Sequence, residues 1–142
     1  MKKIKDIVVY EDPQFYATFP SVIKSGDEFI VAFRRAPNRI MFGEQHNTHI
    51  DPNSYLVLVR SNDGENWTKE PELIYAHSFG GSQDPCLLKL KDGTLLCTSY
   101  GWAVVKEEAV TNMKQPVYNE GGNVALGGYI LRSFDNGKTW EG

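Results

Sequence analysis

Apolar and polar positions along this chain alternate in short runs and never settle into a helical period. PSVIK and EFIVAF stand on either side of Ser25-Gly26-Asp27. Two apolar runs around a tight-turn composition predict a hairpin. YLVLVR comes after a long polar stretch and leads through SNDGENW into ELIYA. CLLKLK and TLLCTSY flank Asp92-Gly93, a dipeptide suited to a two-residue hairpin turn. YILR follows a second long polar stretch and runs into SFDNGKTW. The pattern predicts an all-β fold.

The two halves repeat one unit: strand A, tight turn, strand B, long loop, strand C, aspartate-rich turn, strand D. The first copy spans about 14–77 and has all four strands; the second spans about 83–142 and lacks its outer strand. A sheet repeated on this scale predicts β-propeller blades of four-stranded antiparallel sheets, because each blade needs neighbours to cover its faces. KIKDIVVYE (3–11) resembles TKEPELIYA, the first copy's strand D. It is therefore expected to act as a closing strand for a blade from the far end of a ring. Two arrangements follow. The chain is the front of a longer protein, or two-blade subunits form a homo-oligomeric ring in which each N-terminal strand completes a neighbour's second blade.

Composition narrows the partners. The 142 residues amount to one ordinary domain, 41% hydrophobic and 23% charged, values normal for a globular protein. A net charge of −3 without a basic run argues against nucleic acid. MKKIKDIVVY is too short in apolar residues for a signal peptide or a membrane span. No membrane partner is expected, and the location read from the chain as written is cytoplasmic, or secreted if a leader has been lost. Cys86 and Cys97 fall diagonally across their hairpin, a poor arrangement for a disulfide, and read as free thiols.

Ser133-Phe134-Asp135-Asn136-Gly137-Lys138-Thr139-Trp140 fits S-x-D-x-G-x-T-W at every position. In such a turn Asp and Ser bond backbone amides, Gly permits a positive φ and Trp packs on the sheet. With Gly64 and Trp67 aligned to Gly137 and Trp140, Asn62 takes the aspartate's place in the first copy. These turns, at equivalent places in a repeat, resemble the Asp boxes (BNR repeats) of the six-bladed sialidase (neuraminidase) superfamily. FPSVIKSGDEFIVAF is similar to that family's opening hairpin, and SQDPCLLKLKDGTLL to the start of its second blade. The resemblance implies a glycoside hydrolase acting from the end of a glycan on a terminal, acidic sugar. It implies an arginine cluster for the sugar carboxylate, an Asp acid/base, and a Tyr nucleophile paired with a Glu. No cofactor is implied. One departure is that Thr18 stands where the family's R-I-P motif has its arginine. The Tyr, the Glu and the remaining arginines belong to later blades, so this chain holds at most one side of an active site. A non-catalytic, lectin-like propeller of two-blade subunits is the second functional reading, and a scaffold for protein partners the third.

Topology separates two rims. B–C loops and D–A connections leave at one end of the blades, while A–B turns and the aspartate turns leave at the other. The first rim gathers the loop 35–53, the connection 77–84 and the loop 102–126, all long enough to be functional. Asp51 is the leading catalytic candidate. It lies five residues ahead of LVLVR, where the family places its acid/base; as a plain alternative, Asp51-Pro52-Asn53-Ser54 is a turn opened by Asp. Arg35, with Arg34 as rival, resembles the arginine after strand B. A guanidinium fork can grip a carboxylate, and since neighbours on a strand point opposite ways only one of the two can face the pocket. His49, Gln83, Asp84, Tyr100 and Trp102 complete the expected sugar-binding set: Asp84 for hydroxyls, or as a turn cap before Pro85, and the aromatics for stacking or for the core. His46 and His49 with Asp51 have metal-ligand chemistry, but no further ligand accompanies them and no metal is expected. His77 is assigned no role.

Overall fold

A computed structural model of the chain describes residues 3–110 and 122–142. Strands β1 (Phe15–Ser25), β2 (Glu28–Pro37), β3 (Tyr55–Ser61) and β4 (Glu72–Tyr75) form an antiparallel meander in the order β1-β2-β3-β4. Gly26, at φ 65°, makes the β1–β2 turn in a conformation that a β-carbon would oppose. On β2 the side chains alternate, Ile30, Ala32, Arg34 and Ala36 pointing one way and Val31, Phe33 and Arg35 the other. Pairing carries the first set onto Leu56 and Leu58 of β3 and the second onto Val57 and Val59. Residues Ile30 to Arg34 are all buried, because both faces of this central strand are covered.

The second sheet follows the same order. β5 (Gly81–Ser82) and β6 (Cys86–Lys89) lie in succession along one side of β7 (Leu95–Val104), and β8 (Asn123–Ser133) lies along the other. The gap between β5 and β6 holds Pro85, which has no amide to give to a ladder. A fourth strand begins where Glu141 exchanges two backbone hydrogen bonds with Arg132. The molecule is therefore all-β, built of antiparallel four-strand sheets as in propeller blades. β7 reaches Val104 and β8 starts at Asn123, so the loop expected over 102–126 is strand at both ends and Trp102 sits within β7. Of the remainder, Glu107–Val110 is a short helix and 111–121 lies outside the described residues.

The sheets meet through one core. Ile30, Ala32, Leu56, Leu58 and Ile74 of the first pack with Leu87, Leu95, Cys97 and Leu131 of the second. Burial and the neighbouring Cys86 push the Cys97 thiol up to about 12, while Cys86 is exposed; both are free thiols in the structure. Val31, Phe33, Val57 and Val59 form a smaller cluster on the opposite face of the first sheet. Residues 3–11, expected as a closing strand, carry no strand pairing here. Val9 and Tyr10 instead lie on that second cluster, the Tyr10 ring 4.8 Å from that of Phe33.

Both aspartate turns make the same bonds. Asp135 Oδ1 accepts from the amides of Lys138 and Thr139, and Ser133 Oγ accepts from that of Gly137. In the first copy Asp63 Oδ1 accepts from the amides of Glu65 and Asn66, and Ser61 Oγ from that of Gly64. The aspartate's role therefore falls to Asp63 and not, as the alignment on glycine suggested, to Asn62. This turn is one residue shorter between Asp and Gly, and the alignment hid the deletion. Each tryptophan indole donates to its turn glycine's carbonyl.

Candidate functional site

The loop between β2 and β3 opens on a short 3-10 turn, Arg39–Phe42, closed by left-handed Gly43. The Arg39 amide donates to Asn47 Oδ1, and Asn47 Nδ2 to Asn38 Oδ1, which folds the loop on itself. At its far end Asp51 begins a turn, its carbonyl accepting from the Ser54 amide at 3.1 Å. Ser54 Oγ lies 2.8 Å from the Asp51 carbonyl oxygen and 2.7 Å from that of Ser82. The Ser82 amide donates back to the Ser54 carbonyl. The Asp51 turn is thus clamped between the two sheets. Glycine makes the close approach possible, since a β-carbon on Gly81 would run into the Asp51 carbonyl. All of this lies at the start of β3, the opposite end of that strand from the Ser61–Trp67 turn.

Asp51 is 1% exposed. Its carboxylate accepts from Arg39 Nε at 2.8 Å and Nη2 at 3.0 Å, and from the Asn53 amide at 2.9 Å. Burial alone would raise its pKa. The Arg39 fork, the Asn53 amide and the field of Arg34 outweigh burial and hold the group below the usual carboxylate range, so it is ionised at neutral pH. Sequence reasoning missed Arg39. Its signal was a lone arginine in a polar loop, and only the loop's fold brings it over Asp51.

The neighbouring arginines diverge. Arg35, first choice from the sequence, points to the outer face, where it pairs with Asp12 at 3.2 Å and stacks on Phe15 with its guanidinium carbon 3.4 Å from the ring centre. Arg34 points between the sheets and is fully buried. It donates to the Thr48 carbonyl at 3.2 Å and more weakly to Thr18 Oγ1 at 3.5 Å, and its Nε has no partner. Burial pulls its pKa down, opposed by the charges of Asp51, Tyr16, Asp84 and Tyr100. Thr18, the residue at the family's arginine position, is therefore a contact of Arg34.

Asp84 is exposed and accepts from the Tyr100 hydroxyl at 3.0 Å. Burial, then this bond, raises the Tyr100 pKa. Gln83 is buried; its amide donates to the Tyr100 carbonyl, its carbonyl accepts from Ser99 Oγ, and its Nε2 has no partner. Trp102 is half-buried opposite Gly81. His49 is exposed and lies against Phe19, ring centres 5.3 Å apart. Phe19 takes a left-handed φ of 57° where β1 breaks register between Thr18 and Ser21, a strained conformation for an aromatic residue. His46 is exposed in the same loop, and His77 Nδ1 accepts from the Phe79 amide. Among the described residues no three His, Cys, Asp or Glu side chains converge as a metal site, and no helix is long and apolar enough to cross a membrane. The structure thus brings Asp51, Asp84 and Tyr100 each within electrostatic reach of Arg34 and leaves Arg35 on another face.

No family model matches the chain, and no curated protein matches it. A solved protein of unknown function from Dyadobacter fermentans DSM 18053 is 59% identical over 99% of this chain, with a TM-score of 0.94. The chain spans 39% of that protein's length. A solved sialidase matches 87% of this chain and 12% of its own at 17% identity and a TM-score of 0.49, a likeness too slight to carry an argument.

Proposed function

We propose that this rim is part of the sugar site of a sialidase-like glycoside hydrolase, with Arg34 receiving the carboxylate of a terminal acidic sugar and Asp51 supplying the acid/base carboxyl. The carrying observation is Arg34: a fully buried guanidinium with an unpartnered Nε, while Asp51, the carboxylate whose charge acts on it most, is already gripped by Arg39. A buried cation without a directly bound counter-ion is costly, and a carboxylate admitted by movement of the Thr48 loop off the guanidinium would offset that cost through a two-point grip at Nε and Nη2. Asp84 and Tyr100 supply an exposed acceptor and donor for sugar hydroxyls.

Acid catalysis requires a protonated Asp51, whereas the Arg39 fork keeps it ionised. Arg39 is partly exposed on its loop, so its withdrawal would remove the largest influence that lowers the Asp51 pKa and leave burial, which raises it, opposed only by the Asn53 amide and the field of Arg34. The same fork favours the second reading, a lectin-like rim that binds sugar without cleaving it, because an Asp satisfied by arginine and amide needs no proton to trade.

Saturation-transfer NMR with 3′-sialyllactose and lactose tests the proposal. Binding of the sialoside alone, weakened about tenfold or more by Arg34→Gln, is the expected result, since a charge-assisted pair contributes about 1.5–3 kcal/mol. Equal binding of both sugars, or of neither at millimolar concentration, refutes the role of Arg34. Turnover of a fluorogenic sialoside that falls about 10²–10⁴-fold in Asp51→Ala with binding retained supports catalysis; binding without turnover supports the lectin.

A further inference from the structure

The two aspartate turns differ by one residue. Where the first runs straight from Asp63 to Gly64, the second has Asn136 between Asp135 and Gly137. The added residue is the one that reaches the other sheet. Asn136 Nδ2 donates to Glu28 at 3.0 Å, its Oδ1 accepts from Ser25 Oγ, and its carbonyl accepts from Arg60 at 3.0 Å. Lys89 donates to Ser25 Oγ at 2.8 Å, and Arg60 is forked onto Glu72 and bonded to Glu28. One asparagine thus locks the second sheet to the first at the rim of the aspartate turns.

The fold selects both residues of the Asn136-Gly137 pair. Asn136 takes a left-handed φ of 62°, which asparagine tolerates better than most residues other than glycine. Gly137 follows at φ 84°, and a β-carbon there would come within 3.2 Å of Arg60 Nη2 and 3.4 Å of the Trp140 ring. No other asparagine of the chain precedes a glycine. That pairing is the least hindered setting for an asparagine side chain to cyclise onto the following amide, since glycine has no β-carbon to block the approach.

We propose that Asn136 is a site of spontaneous deamidation, shut while the two sheets are locked and opened when they part. The Gly137 nitrogen gives up its proton and bonds to the side-chain carbonyl carbon of Asn136; the bond from that carbon to Nδ2 breaks, and ammonia leaves carrying the proton. Water then opens the five-membered imide at either carbonyl. The product is an aspartate, or an isoaspartate whose chain runs through the side-chain carbon. In the locked state neither reactant is free. The Gly137 amide donates to Ser133 Oγ at 2.7 Å, and the side-chain amide is drawn away to Glu28 and Ser25. Both products weaken the lock. Aspartate turns an oxygen towards Glu28 where a donor stood, and isoaspartate lengthens the turn by one backbone atom and carries Gly137 off Ser133. A transient opening thereby becomes a permanent change. The proposal is independent of what the opposite rim binds.

Peptide mapping by mass spectrometry reads the change from amide to acid at Asn136, after incubation at mildly alkaline pH with and without urea. Modification proceeds from the open form, so its rate follows that form's population. Asn136 changes about tenfold or more slower in the folded chain than in the unfolded one, a comparison that needs no variant. Ser133→Ala frees the Gly137 amide and Glu28→Ala the side-chain amide; each speeds the folded chain's modification about fivefold or more and leaves the rate in urea unchanged, with circular dichroism checking that both variants fold. Asn62→Ala, in the other turn, leaves the Asn136 rate as it was. The modified chain, separated on ion exchange by its added negative charge, unfolds at a lower urea concentration. Equal rates with and without urea, no change at Asn136 in the unfolded chain, folded variants no faster than the original, or a modified chain of undiminished stability would each overturn the proposal.

Discussion

Asp51→Asn is the sharpest perturbation of the rim. The change keeps the shape and one acceptor but removes the carboxylate that Arg39 grips at two points, leaving Arg39 only its longer bond to Glu44, and takes away the negative charge that offsets the fully buried Arg34. Removing one partner of a buried pair typically costs about 3–5 kcal/mol, because an uncompensated charge stays behind. That range applies here, since Arg34 has no water to turn to. Arg39→Gln is the milder change. Arg39 is 24% exposed, and Asp51 keeps the Asn53 amide and the field of Arg34, so the loss is about 1.5–3 kcal/mol, that of a charge-assisted hydrogen bond. The double variant should cost about as much as Asp51→Asn alone, because the pair is lost only once. Urea denaturation followed by tryptophan fluorescence measures all three. An Asp51→Asn cost below about 1 kcal/mol, an Arg39→Gln cost exceeding it, or strict additivity would refute the account of Asp51 as the shared counter-charge.

Three further outcomes follow. Gly81→Ala should unfold the junction or lower Tm sharply in a melting curve, since its β-carbon meets the Asp51 carbonyl and Ser54 Oγ, whereas Gly43→Ala, with open space around it, should show only the smaller strain of a positive φ. Ser133→Ala and Ser61→Ala should each cost about 1–3 kcal/mol in urea unfolding by leaving a turn amide unpaired, and Asn62→Ala, which accepts none of the turn's bonds, should cost far less. The carboxyls of Asp51, Asp63 and Asp135 are all depressed in the folded chain, so the stability they add is present above their unfolded values near pH 4 and is lost as pH falls through the folded ones. Melting temperature should be flat above about pH 5 and drop steeply below about pH 4, with a shallower drop in Asp135→Asn.

The sequence by itself determined the central strands of both sheets, their order and the two rims, but neither the lack of pairing over 3–11 nor the length of β7 and β8. What it did determine rests on local signals: period-two apolar runs, Asp92-Gly93, and the Ser-Asp-Gly-Trp turn. Such signals survive because backbone pairing and turn geometry depend on residues close in the chain. It also placed Asp51 at a turn before β3. Only the tertiary structure decided which charges meet. Arg34 and Arg35 are indistinguishable as letters, and a single alternation along β2 sends one between the sheets and the other to Asp12. Arg39 reaches Asp51 because a polar loop folds back across twelve residues, and Ser82 holds that turn from another sheet. Asp63 supplanted Asn62 because hydrogen bonds follow the geometry of the turn and not an alignment of its ends. Contacts between residues far apart in the chain depend on packing, whose free energy is shared over the whole core, and no short stretch of sequence carries it.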